Sequence, residues 1–419
     1  MNPALRTELR RGVGIWAALP MVAILIAGML AHQRDWVGDW VGSSYYLRNM
    51  LILLGPAVVA AAAWQGGRDG RRGVGDLLAS TPRPPLQREL AAVASPTVWA
   101  VVSFMVVAAA AAVITAVRAS YGRPLVGMLL SAVAATVALA VFGYLAGRFV
   151  RWRVAAPLLA LVTYVSIAAL AYRADGLRYL SPDPEVSSFP GQRPVWWWSP
   201  ASTATFVLVA AGVLLLVAGR RRWLGVPLLA LSVLVAVPIV RTGQDAFDVP
   251  NPGSQALVCR ESATVELCLS QMHRRQLNEV AAGVAPVLNG LAVRVRLVES
   301  SSSESNSDIK LTSKYLGPTL TSGPDLTVMR ADVSAGLLRW GCSTPSMYGP
   351  IYGLPERVGT AVFPLQIWLE ARPDDPPSFL SRDNLTDEQL VGITRDYRTA
   401  AATCDEPAAL RALAPLTPS

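Results

Sequence analysis

Two different rhythms of apolar and polar positions divide this chain. Over its first 240 residues, long apolar runs alternate with short polar breaks. The runs cover about 13–31, 48–64, 97–117, 125–147, 154–172, 202–219 and 223–240. Each is close to the roughly 17–25 residues a helix needs to cross a bilayer core. Their interiors hold no Asp, Glu, Lys or His. Pro227 and Pro238 bracket the last run, so the pattern predicts six to seven spans. The basic flank Arg6, Arg10, Arg11 would also suit a signal peptide. The first run is long for one and lacks a small-x-small exit, so a retained span is expected.

After Val240 the rhythm shortens. Residues 241–256 form a Pro/Gly/polar linker, and 257–419 read as an α+β domain large enough for its own core. Residues 256–270 predict two short strands around Ser262–Val265, with Cys259 and Cys268 nearly symmetric across the turn. The helical stripe Leu277, Val280, Ala281, Val284, Leu288 predicts a helix over about 272–289. Leu291, Val293, Val295 and Leu297 alternate with Arg294 and Arg296 as in a half-buried strand. A strand is expected near Asp325–Met329 and a helix at about 332–340, closing at Gly341. The stretch 360–370 fits strand or helix. Thr386 and Gln389 have capping-box spacing for a helix through Leu390, Ile393, Tyr397 and Ala401.

Composition and charge sharpen this picture. The chain is 52% hydrophobic and only 16% charged, well under a soluble domain's share. Residues 1–240 hold 21 arginines against 9 acidic residues, and the remainder is net acidic. The basic excess sits between apolar runs, which argues for membrane topology and against nucleic acid as a partner. With the N-terminus inside, the cytosolic segments carry 14 arginines and the opposite loops 7. Trp36, Trp40 and Trp196–Trp198 fall in loops on the outer side, where indoles favour the headgroup layer. Seven spans then put the C-terminus outside. Cys259, Cys268, Cys342 and Cys404 all lie in that exported part and are disulfide candidates, with three connectivities open. The expected fold class is therefore a polytopic α-helical membrane protein carrying a C-terminal extracytoplasmic α+β domain. Its expected location is the cell membrane.

The polar break Gly66–Ser95 is the richest in chemistry, with five arginines. Val74, Leu77 and Leu78 fall on one face of a short helix that Thr81-Pro82 stops. Leu86, Leu90 and Val93 begin a second amphipathic piece, and Ser95-Pro96 suits the start of the third span. The stretch GVGDLLASTPRPPLQREL resembles the cytosolic segment after the second span of type-2 class ABC exporter permeases. The matching positions are Gly75, Asp76, Leu77, Leu78, Thr81, Pro82 and Arg83. Asp76 stands where Glu is usual, and the customary Lys before the third span is absent. The resemblance covers about 25 residues, within a span pattern over roughly 1–220. It implies that Val74–Arg83 is a coupling surface for a separate P-loop ATPase subunit, and that a second permease copy or paralogue completes the transporter. A basic loop held at anionic lipid headgroups is the simpler alternative.

No G-x-x-x-x-G-K-[ST] occurs, so this chain is not expected to hydrolyse ATP. Neither H-E-x-x-H nor G-x-S-x-G is present, and no catalytic residue, metal site or cofactor is expected. His273 is expected at the surface. Gly143 and Gly147 form one G-x-x-x-G, a sign of a packing seam. The function expected is export of a hydrophobic or amphipathic substrate. The alternative is a membrane-anchored extracytoplasmic binding, sensor or immunity module.

Overall fold

A computed structural model of the protein describes residues 3–73, 85–150, 152, 154–173, 175–184, 192–218, 222–247, 249–262, 265–289, 291, 294–299, 308–340, 355–371 and 385–416. Two compact units result, Met1–Asn251 and Pro252–Ser419.

The first unit is helical. Its helices are α1 (Pro3–Arg11), α2 (Val13–Ala31), α3 (Trp40–Asn49), α4 (Leu51–Gly66), α5 (Arg68–Arg72), α6 (Pro85–Arg118), α7 (Val126–Phe149), α8 (Ala155–Ala171), α9 (Trp198–Ala218) and α10 (Gly225–Thr242). Among the described residues, six helical segments are long and apolar enough to cross a membrane. They are Val13–Ala31, Trp40–Arg72, Leu86–Arg118, Val126–Phe149, Trp198–Val217 and Arg222–Ala246. The run at 154–172 yields only the 17-residue α8, apolar but shorter than the others.

Close packing here depends on missing side chains. A Cβ on Gly143 would lie 2.6 Å from the Val59 carbonyl oxygen, and one on Gly147 would lie 2.1 Å from that of Ala63. The G-x-x-x-G of α7 is thus a seam against α4, where two backbones meet directly. Helix α2 also lies along α6, and a Cβ on Gly14 would meet the Ser95 carbonyl oxygen at 2.6 Å.

The expected helix start at Ser95-Pro96 is not where the third span begins. Helix α6 starts at Pro85 and runs through Pro96 without a break. Pro85 takes the helix-starting role, where a missing N–H costs nothing. The amphipathic piece from Leu86 is the first part of the same helix. The tryptophans also differ from one another. Trp196 is 86% exposed, whereas Trp36 and Trp198 are buried, Trp36 donating from Nε1 to the Met29 carbonyl at 2.8 Å.

In the second unit, β3 (Leu257–Glu261), β4 (Val265–Ser270), β5 (Val295–Glu299) and β6 (Ile309–Leu311) form one sheet in that order. (The two-residue strands β1, Gln192–Arg193, and β2, Val249–Pro250, pair separately in the first unit.) Strand β3 is antiparallel to β4, and β4, β5 and β6 are mutually parallel. The crossover from β4 to β5 carries the helix Leu277–Leu288, whose Val280, Val284 and Val287 are buried. Helices Leu326–Leu337, Glu356–Ala371, Asp387–Thr403 and Glu406–Leu413 complete a core that includes Leu267, Leu297, Val333, Leu365 and Tyr397.

The hairpin aligns Cys259 opposite Cys268, and the two are disulfide-bonded. Cys404 is also disulfide-bonded, and Cys342 lies outside the described residues. The capping box holds: Gln389 N donates to Thr386 Oγ1 at 3.3 Å, and Thr386 N donates back to Gln389 Oε1 at 2.7 Å. The strand expected at 325–329 is instead the first turn of a helix. Asp325 caps it by accepting from Val328 N, and Met329, Val333 and Leu337 face the core at helical spacing. The 360–370 stretch resolves as helix.

Candidate functional site: the arginine-rich junction between the second and third apolar helices

The residues matched to a coupling surface, Val74, Gly75, Asp76, Leu77, Leu78, Thr81, Pro82 and Arg83, lie outside the described residues. On the leading side, α4 passes through Gly67 into α5 and stops at Gly73, whose φ of 65° is left-handed and open to glycine without strain. On the trailing side α6 begins at Pro85.

Each flank is tied to the frame by a carboxylate. Glu8 of α1 accepts from Arg68 in a fork, Nη2 to Oε1 at 2.8 Å and Nη1 to Oε2 at 3.0 Å. Gln65 Nε2 adds a third bond to Glu8 at 2.9 Å. Such bidentate pairing fixes direction as well as distance. Glu89 of α6 is buried, and accepts from the Tyr144 hydroxyl at 2.6 Å while pairing with Arg148 of α7. Arg88 approaches the same carboxylate at 3.5 Å. Glu8 and Glu89 are thereby both engaged by the helical frame.

A cavity of about 270 Å³ opens beside the first clamp, lined by Gly12, Val13, Trp64, Gln65, Arg68, Arg71 and Arg72. Arg71 folds back over Trp64, its guanidinium 4.5 Å from the indole centroid and its Nη2 donating to the Trp64 carbonyl at 2.6 Å. The clamp carboxylate Glu8 and the partner Arg148 were not identified as clamp residues from sequence. No local spacing signals them, since Glu8 and Arg68 stand 60 positions apart.

A second polar cluster surrounds Arg48 near the other end of the bundle. The side chain is fully buried, and donates to Ser131 Oγ, to Ser202 Oγ at 3.2 Å and to the Ser181 carbonyl at 3.4 Å. A charged group buried at this level of a spanning helix is a functional candidate by default.

In the second unit, His273 is buried rather than at the surface. Its Nδ1 faces Glu299 Oε1 at 3.1 Å and Ser270 Oγ at 3.4 Å. Glu299 also accepts from Ser270 N at 2.8 Å. In a nucleophile–base–acid chain the hydroxyl and the carboxylate address opposite ring nitrogens. Here both address Nδ1, and the trio ties the end of β4 to β5. Burial opposes ionisation of Glu299, but the His273 imidazole and the Ser270 hydrogen bonds bring its carboxyl down to about 2. Cys259, Glu266 and Cys268 cluster at ligand distances, but the two sulfurs are bonded to each other and offer no thiolate to a metal.

Comparison of the chain with protein-family models, with curated proteins and with solved structures finds no match.

Proposed function

We propose that this chain is the membrane subunit of an ABC-type export system, moving a hydrophobic or amphipathic substrate with energy from a separate ATPase subunit. The observation that carries the reading is the double clamp: both flanks of the Val74–Arg83 segment are fastened by carboxylates to neighbouring helices. A segment that receives a push from a motor transmits it only if its two ends cannot yield independently. In this reading Leu77 and Leu78 meet the ATPase, and Glu8–Arg68 and Glu89–Arg148 pass its movement into α1, α4, α6 and α7. The N-terminus is cytosolic, the Pro252–Ser419 unit is extracytoplasmic, and a second permease completes the translocation path.

The test is affinity purification of the full chain from its native membrane. A cytosolic P-loop ATPase is expected to copurify, and Leu77→Asp with Leu78→Asp is expected to abolish it while leaving the chain in the membrane. Recovery of the wild-type chain without any ATPase would overturn the proposal.

The independent core of the second unit favours one other reading, a membrane-anchored extracytoplasmic module without transport. Pro252–Ser419 on a foreign single-span anchor would then retain the cellular phenotype, and loss of that phenotype would count against it.

A further inference from the structure

The cavity at the first clamp lies at a particular depth. Val13 begins α2 and Trp64 belongs to the last turn of α4, so the cavity sits where two apolar helices end. Its upper wall is cationic. Arg68 is engaged by Glu8, while Arg71 is held against Trp64 and Arg72 is exposed and forms no ion pair among the described residues. Trp64 is 42% exposed, as suits an indole at the headgroup level.

A second feature leads away from it. Gly12, the extended N-cap of α2, lines the cavity, and on α2 itself Trp16, Leu19, Ile26 and Leu30 recur at helical spacing, respectively 77%, 74%, 45% and 48% exposed. Such a stripe is large, apolar and uncovered over the length of a span. It offers hydrocarbon a track along α2, the helix whose first residue, Val13, also lines the cavity.

We propose that this cavity is a specific lipid site, in which Arg71 and Arg72 hold the phosphate of an anionic phospholipid headgroup and the α2 stripe receives its acyl chains. Basic pockets between spanning helices recognise headgroups by this combination. A zwitterionic lipid presents the same phosphate with its own cation attached and gains less from the arginines. The site stands independently of the export reading, since it requires neither an ATPase nor a substrate.

The experiment is native mass spectrometry on the purified, delipidated full chain, titrated separately with phosphatidylglycerol, phosphatidylcholine of the same acyl composition, and inorganic phosphate. The wild type is expected to retain phosphatidylglycerol in preference to phosphatidylcholine. Arg72→Ala should weaken that retention roughly fivefold and Arg71→Ala/Arg72→Ala roughly twentyfold, taking each arginine at the usual strength of a basic residue near an anionic surface. Phosphatidylcholine adducts should be unchanged, and Arg71→Lys/Arg72→Lys should keep most of the preference. A thermal melt matching wild type would show that Arg72→Ala is folded. Equal retention of the two lipids by wild type, or an unaltered preference in both alanine variants, would overturn the proposal. Displacement of phosphatidylglycerol by inorganic phosphate at equal concentration would assign the site to a soluble phosphate, and would also overturn it.

Discussion

The guanidinium of Arg48 lies 4.6 Å from the centroid of the Trp198 ring, and neither side chain reaches the surface. The contact joins α3 to the start of α9. Arg48 Nε has no hydrogen-bond partner, and its other donors reach only neutral acceptors. Asp183, buried beside Asn49, is an acidic group that acts on it through space. Two buried charges of this kind depend on each other. Arg48→Met would remove that opposite charge from beside Asp183, at a cost of about 3 kcal/mol. In detergent-solubilised protein that is a loss of about 6–12 °C in thermal midpoint. Arg48→Met/Asp183→Asn, which removes both charges, is expected to recover at least half of it. A single variant as stable as wild type would show that the pair has no structural weight.

The Glu89 clamp makes a different prediction. Its carboxylate is buried, while Arg148 is partly exposed, so water screens the ion pair but not the Tyr144 hydrogen bond. Glu89→Gln keeps an acceptor for Tyr144 and drops the charge; Glu89→Ala leaves the hydroxyl unpaired. The alanine variant should therefore lose about 1–3 kcal/mol, and the glutamine variant less than half of that. A double-mutant cycle with Tyr144→Phe reads the coupling directly, and a value near zero would remove the clamp from the account.

What could be read from the sequence followed how far apart the interacting residues are. The hairpin was legible because Cys259 and Cys268 flank one turn, and the capping box because Thr386 and Gln389 are three residues apart. The Arg48 cluster was not, because Ser131, Ser181 and Ser202 arrive from 83, 133 and 154 positions away. The helix Leu326–Leu337 was misread locally. Thr327 and Val328 favour a strand, but the Asp325 cap and the core stripe Met329, Val333, Leu337 outweigh that preference. His273 reads from sequence as a surface residue because its partner Glu299 lies 26 residues on. For the candidate site itself, the arginines were visible; the carboxylates that pair with Arg68 and Arg148 were not.

Gly147, in the α4–α7 seam, and Gly392, in the second unit, should respond to alanine in opposite directions. At Gly147 a Cβ would stand 2.1 Å from the Ala63 carbonyl oxygen and 2.5 Å from its Cα, both backbone atoms that cannot swing aside. Gly147→Ala should destabilise the protein by about 1–3 kcal/mol through forced separation of the helices. Gly392 lies within the helix Asp387–Thr403 with nothing within 4 Å of its would-be Cβ. There Gly→Ala should stabilise by about 0.4–1 kcal/mol, by restricting the unfolded chain and favouring helix. Thermal melts of the two variants in one detergent should move in opposite directions.

The Glu299 latch gives the second unit a defined acid limb. Burial alone would raise this carboxyl, but the His273 imidazole and the Ser270 hydroxyl and backbone N–H reverse the balance and bring it to about 2, against an ordinary 4.5. A carboxylate depressed on folding stabilises above its unfolded pKa, and that contribution fades as pH falls through the folded one. Stability should accordingly drop between about pH 4.5 and pH 2, by on the order of 3 kcal/mol from this group. Glu299→Gln removes the titration and keeps an acceptor for Ser270 N. Its stability should be lower than wild type near neutrality and should change less across that window. Hydrogen exchange of the β4 and β5 amides, followed against pH in the full-length protein, isolates this unit from the helical one. Parallel pH profiles in wild type and Glu299→Gln would show that the carboxylate is not what sets the acid limb.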